Sequence, residues 1–119
     1  MNFKLKIPPL LNAYYGHIAR GKRVIKYIKT PGKEFKAYVK DFAHRNQLDV
    51  KANIPLKMTI HIYFKDKRKR DIDAILKSLL DSLTEAMVYE DDSLIEELHI
   101  YKHAPKPEEP HIDVTIEKL

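Results

Sequence analysis

Phe3, Leu5 and Ile7 alternate with Lys4 and Lys6, a pattern that predicts a half-buried strand over 2–7 with a cationic outer face. Pro8 and Pro9 stop it, since neither can donate to a ladder. A polar loop carrying Asn12, Tyr14, Tyr15, Gly16 and His17 follows, then a short second strand over 23–29. Beyond the Pro31-Gly32 turn, Phe35, Tyr38, Val39, Phe42 and Ala43 recur at three and four. That spacing predicts a helix to about Leu48, with Thr30 as N-cap and Pro31 at the first helical position. The clearest strand opens at Pro55. Leu56, Met58, Ile60, Ile62 and Phe64 share one face, and Lys57, Thr59, His61, Tyr63 and Lys65 the other. A second helix starts near Asp71, its apolar face marked by Ile72, Ile75, Leu76, Leu79, Leu80, Leu83 and Met87. After an acidic turn, strands are predicted over Leu94 to Tyr101 and His111 to Glu117, separated by the polar PKPEEP. The order is β-β-α-β-α-β-β. It implies an α+β fold, a single-domain mixed β-sheet of four to five strands with two helices packed on one face.

With 119 residues, the chain suits one domain, 1–119. A hydrophobic share of 44% is enough for a core, and no apolar run is long enough for a transmembrane helix, so no membrane partner is expected. The start, MNFKLKIPP, lacks the apolar run of a secretory signal, and a cytoplasmic location is expected. The absence of cysteine removes disulfides, thiolate metal sites and cysteine nucleophiles together. Three glycines and no phosphate-loop pattern argue against a nucleotide-cradling loop.

Charge changes the picture through its placement. Residues 1–70 carry 18 Lys/Arg against 4 Asp/Glu, and residues 71–119 carry 4 against 13. A basic first part suits a polyanion, most simply nucleic acid. The competing explanation is that the two parts interleave in space and neutralise one another.

The sharpest cluster is Lys67-Arg68-Lys69-Arg70-Asp71-Ile72-Asp73, with Lys77 four residues after Asp73. Phosphodiester hydrolysis needs these components. Carboxylates hold Mg²⁺, cations fix the phosphate backbone, and a lysine stabilises developing negative charge. The structural alternative is equally concrete. Asp is a good N-cap, acids suit a helix start, and Asp73 with Lys77 is an ordinary i,i+4 pair. Residues two apart in a helix point to nearly opposite sides, so Asp71 and Asp73 can share a metal only if Asp71 lies at or before the cap. A second acidic cluster, Glu90-Asp91-Asp92, follows the helix C-terminus, where the dipole disfavours negative charge. It reads either as a solvated turn or as further metal ligands. Asn12, Tyr14 and Tyr15 suit stacking on or hydrogen-bonding to nucleic acid, or simple packing. Lys22, Arg23, Lys26 and Lys29 suit phosphate contacts or an outer face. The six histidines form no metal-binding helical pair and are expected to be surface or core residues.

The stretch KRKRDIDAILKSLLDSLTEAMVYEDDSLI, with the early Pro-Pro-x-x-Asn-x-Tyr-Tyr and an Ile/Val-rich last strand, resembles the RusA family of Holliday-junction resolvases over nearly the whole chain. The resemblance implies a RusA-like fold and a homodimeric, Mg²⁺-dependent endonuclease, often phage- or prophage-encoded. Such an enzyme nicks branched DNA at four-way junctions in recombination and repair. It carries the essential carboxylates onto Asp71, Asp73 and Asp92, and the catalytic lysine onto Lys77. Asp91 matches a neighbouring acidic position of lesser standing. Lys67 to Arg70, with Lys22 to Lys29, are expected to bind the backbone. The chain departs from the family at Ala74, where Asn is common, and this bears on the fine specificity of the site. The rivals are a non-catalytic nucleic-acid binding protein of the same fold, and a partner-binding domain whose charges only solubilise it.

The spacing also poses a question of reach. A helix from Ile72 to Met87 spans roughly 24 Å at 1.5 Å per residue, and residues 88–92 extend at most about 16–18 Å. A straight helix therefore leaves Asp92 short of Asp71 within one chain. Either the helix ends early or bends and the acidic turn folds back, or a dimer pairs two helices antiparallel and Asp92 joins the site of its partner.

Overall fold

The computed structural model describes residues 1–119. Its elements are β1 (Asn2–Leu5), the one-turn helix α1 (Leu11–Tyr14), β2 (Tyr15–Arg20), β3 (Arg23–Ile28), α2 (Thr30–Arg45), β4 (Leu56–Tyr63), α3 (Leu76–Glu85), a 3₁₀ turn at Asp92–Leu94, β5 (Ile95–Lys102) and β6 (His111–Lys118). Four strands form the main sheet in the order β1-β6-β4-β5. β4 and β5 run parallel, joined by the α3 crossover, and the other pairs are antiparallel. No helix is long and apolar enough to cross a membrane.

The α+β reading holds, and β4 explains why. Leu56, Met58, Ile60 and Ile62 are wholly buried, while the alternate residues stay half-exposed. On the buried face β4 meets Phe35, Val39 and Ala43 of α2, and Leu79 and Leu83 of α3, in one continuous core. Each fully buried large aliphatic side chain contributes roughly 1.5–3 kcal/mol, so the apolar period of 2 in the strand and 3.6 in the helices sets the layer arrangement.

Three expectations need correction. The segment read as a polar loop holds α1 and β2, and the predicted second strand is β3, which pairs with β2 in a separate hairpin rather than joining the sheet. Gly21, at φ +62°, makes the two-residue turn between them, a glycine-first hairpin geometry that matches strand twist. Thr30 is the first residue of α2, not its cap. Lys29 holds the cap position with extended backbone and no side-chain bond.

The third correction concerns α3, which is 10 residues long. Before it, residues 72–75 form a turn closed by Ala74 N–H to Asp71 O (3.1 Å) and Leu76 N–H to Asp73 O (3.0 Å). These tighter bonds place both aspartates ahead of the helix. After it, Met87 adopts the left-handed conformation at φ +61°. Met87 N–H bonds Thr84 O (3.0 Å) and Val88 N–H bonds Leu83 O (3.1 Å). This paired closure satisfies the last carbonyls and turns the chain back.

Candidate active site

The loop between β4 and α3 is folded around Asp66. Its carboxylate accepts from Arg68 N–H (3.0 Å) and pairs with the Arg70 guanidinium (2.9 Å). Those partners, the Arg68 amide first, hold the Asp66 carboxyl below the usual carboxylate range. Arg70 also donates to Asp66 O and Arg68 O (3.2 Å each) and lies 4.6 Å over the Phe64 ring. Its side chain is only 13% exposed, so of the four predicted phosphate contacts Arg70 is the one spent largely on shaping the loop. Lys67, Arg68 and Lys69 stay exposed.

That loop forms one wall of an open cleft of about 730 Å³. Lys69, Arg70, Asp71 and Ala74 line it from this side, and Asn12, Tyr15, His17 and Lys26 from α1 and the hairpin. Positions more than 40 residues apart in sequence thus meet in one groove. Lys26 Nζ sits 4.2 Å over the Tyr15 ring and Lys29 Nζ donates to Asn12 O (3.2 Å). His17 was not singled out from the sequence. Its alternation with Tyr15 on one face of β2 is the signal that places it there.

Tyr14 is a correction. It is fully buried, so it touches no DNA. Its hydroxyl donates to Asp81 Oδ2 (2.8 Å), and burial and that carboxylate push the phenol pKa far up. Its ring rests on Gly32 of α2, where an added Cβ would lie 2.6 Å from Tyr14 Cδ1. The same Asp81 holds the predicted catalytic lysine, at 3.2 Å from Lys77 Nζ. Asp81, with a smaller contribution from Tyr15, raises the Lys77 pKa, so the ammonium stays charged. The expected Asp73–Lys77 pair is therefore replaced by Lys77–Asp81, and Asp73 is left free.

Lys77→Ala is expected to lower the single-turnover cleavage rate about 10²-fold, the usual loss for one charge-stabilising group. The pair is half-exposed and worth only about 0.3–0.5 kcal/mol. The melting temperature is accordingly expected to stay near that of the wild type. A large loss of stability with normal activity per folded molecule would assign Lys77 to structure.

Asp71 and Asp73 are exposed, and neither enters a salt bridge or a side-chain hydrogen bond. The capping explanation for them therefore lapses. Asp91 is different: its carboxylate accepts from Ser93 N–H (3.1 Å) as the cap of the 3₁₀ turn, and Ser93, through its hydroxyl first and its amide second, draws the Asp91 pKa down. Asp92 lies beside it without such a bond and adds to the negative field at the buried Tyr89 phenol, which donates to Leu80 O (3.1 Å). The acidic turn thus folds back along α3. Even so, no three carboxylate or imidazole groups within the chain converge closely enough to hold a metal ion. Unpaired carboxylates are the right donors for a hard divalent cation, but the predicted set of Asp71, Asp73 and Asp92 is not assembled by one chain.

Interleaving of the two charge classes is real on the sheet and recurs between α2 and α3, where Lys36 Nζ meets Glu85 (2.8 Å). Lys57 is in register with Glu97 and Glu117, Lys4 pairs with Asp113 in register, and Lys4 Nζ meets Glu109 (2.8 Å). The histidines of this face stack with tyrosines, His61 on Tyr101 (4.9 Å) and His103 on Tyr63 (4.7 Å). Residues 15–29 carry five Lys/Arg and no acid. The basic excess therefore survives at the hairpin and the 67–69 loop, on the two walls of the cleft.

The profile of the family described as Endodeoxyribonuclease RusA matches residues 7–117. A protein of Enterobacteria phage HK97, named crossover junction endodeoxyribonuclease rusA, is 32% identical over 105 residues, covering 88% of this chain and 84% of that protein. A protein of the same name from Enterobacteria phage 82 is 29% identical over 112 residues, covering 94% and 89%. Its counterpart in Escherichia coli (strain K12) is 28% identical over 112 residues, with the same coverage.

Proposed function

Because the chain belongs to the RusA family of endodeoxyribonucleases, it is a DNA-cleaving enzyme of the junction-resolving kind, and we propose that it nicks four-way junctions in recombination and repair as a Mg²⁺-dependent homodimer. One observation carries this reading. Asp71 lies in a cleft walled by Lys26, Lys69 and Arg70 and pairs with none of them. A carboxylate left unpaired among cations suits a site that takes a phosphate and a metal ion together.

In this reading Asp71 and Asp73 supply oxygen ligands at the mouth of α3, and Asp92 of the partner subunit completes the set. A divalent cation held by these residues would supply Lewis acidity for water activation and phosphate polarisation. Lys77, kept protonated by Asp81, stabilises charge developing on the phosphate oxygens. Lys26, Lys67, Arg68 and Lys69 bind the backbone on either side, with Asn12 and Tyr15 at the floor, and Lys22, Arg23 and Lys29 extend the contact along the hairpin. The dimer is favoured by Ile72 and Met87. Both carry the apolar spacing of the predicted second helix but flank α3, and they are 45% and 65% exposed, beside the two acidic clusters. Antiparallel pairing of two copies would cover both.

The test is a cleavage assay on mobile four-way junction DNA, linear duplex and forks, with Mg²⁺ titrated. Nicking near the branch is expected to appear with the metal, vanish with chelator, and be much weaker on linear duplex. Junction binding without any chelator-sensitive nick would favour the binding-only alternative, for which Ala74 in the cleft wall is the natural suspect.

A further inference from the structure

The β2–β3 hairpin has one face that the cleft does not use. Strand alternation puts Tyr15, His17 and Lys26 toward the cleft, and Ile18, Ile25 and Tyr27 on the opposite side. Ile18 and Ile25 face each other in register, and each of these three residues is 42% exposed. The hairpin is closed at its root by Lys29 N–H to Tyr14 O (2.8 Å), and from there it projects as a two-stranded ribbon. Such a ribbon is marginal in water on its own, and an exposed β-branched row in register is costly unless something covers it.

We infer that this outer row is a branch-point wedge that inserts against unstacked bases where two arms of a junction diverge. It rests on the reading of the chain as a junction endonuclease. Charge selects the occupant. Arg20 and Arg23 lie opposite each other at the tip, Lys22 is in the turn, and no acid occurs in the hairpin. Two copies meeting through this face would bring like charges together in an isologous contact, whereas a polyanion is attracted by all of them. Apolar side chains among cations are what proteins use to pry base steps apart. In an intact duplex that costs a few kcal/mol of stacking, and it costs least where stacking is already interrupted. The ribbon's two faces then divide the junction. One arm follows the cleft side toward Asp71, and the other leaves along Ile18 and Ile25. Preference for branched DNA arises here from shape, without reading a base.

The test uses Ile18→Thr/Ile25→Thr, which keeps β-branching and strand preference while adding hydroxyls that disfavour contact with bases. Junctions carry 2-aminopurine at the branch, chelator is present throughout, and linear duplex of the same sequence is the reference. The wild type is expected to raise the branch fluorescence. The double variant is expected to lose that rise and to lower the junction-over-duplex affinity ratio about tenfold. Circular dichroism and thermal melting confirm that the variant is folded. Arg20→Gln/Arg23→Gln is expected instead to reduce the log K versus log salt slope by up to about 2 on both DNAs. The idea is overturned if the threonine variant keeps the wild-type fluorescence and ratio. It is also overturned if sedimentation shows that the variant has dissociated a wild-type dimer, which makes the face a subunit contact. Because no cleavage is read, a wild type that unstacks the branch but never nicks it would remove the catalytic reading and leave the wedge in place.

Discussion

Asp71→Asn is expected to abolish junction nicking, by about 10³-fold or more, while junction binding in chelator stays within about twofold. The amide keeps the shape of the side chain and removes the charge, and a neutral oxygen is a poor ligand for a hard divalent cation. Folding is expected to be untouched. Asp71 is exposed and bonds to no other side chain, and surface changes of that kind usually stay within about 0.5 kcal/mol. Binding is expected to survive because the proposed phosphate contacts are Lys26, Lys67, Arg68 and Lys69, which the substitution leaves in place. Two measurements on one preparation check this: single-turnover nicking with Mg²⁺ and gel-shift affinity with chelator. Nicking that persists in the variant would sink the assignment of Asp71. A parallel fall in affinity and rate would make Asp71 a folding or docking residue, not a metal ligand.

The reasons for which elements were readable are physical. β4 was legible because its apolar period is strict and its buried face is fully covered, so Met58, Ile60 and Ile62 are buried as the pattern implies. β2 was not, because YGHIAR shows no alternation of apolar and polar residues. Most of its residues are exposed on both faces, and its strand state is imposed by pairing with β3 through the Gly21 turn. The ends of α3 were misplaced for opposite reasons. Ile72 has the right spacing but sits in a turn of shorter-range bonds. Met87 has the right spacing too, but takes the left-handed conformation that ends the helix. Tyr14 and Tyr15 are adjacent and chemically alike, yet one is buried on Asp81 and the other lines the cleft. Composition cannot tell them apart, since only the packing of α1 against α2 and α3 decides which ring turns inward. The candidate carboxylates were legible as residue types and spacing. Their mutual distance was not, because it depends on where a helix ends and on how chains assemble.

Mixing two inactive subunits is expected to restore cleavage, and this rests on the lack of a metal-holding group within one chain. Ten residues span about 15 Å, with Asp71 and Asp73 ahead of the helix and Asp92 seven residues after it in sequence. The chain does turn back at Met87, but within one chain the acids still form no group able to hold a metal. Antiparallel pairing of two α3 helices about a twofold axis brings the far end of one to the near end of the other. In a heterodimer of Asp71→Asn and Asp92→Asn subunits, one site then carries both substitutions and the other carries neither. If subunits associate at random, half the dimers are mixed and about one quarter of all sites are intact. A junction should then be nicked on one strand only, since each mixed dimer has a single working site. Co-expression with two different tags and purification of the mixed dimer makes the measurement direct. If each site lay within one chain, every site in the mixture would lack a ligand and nicking would stay at the level of the single variants, which would dispose of the shared site.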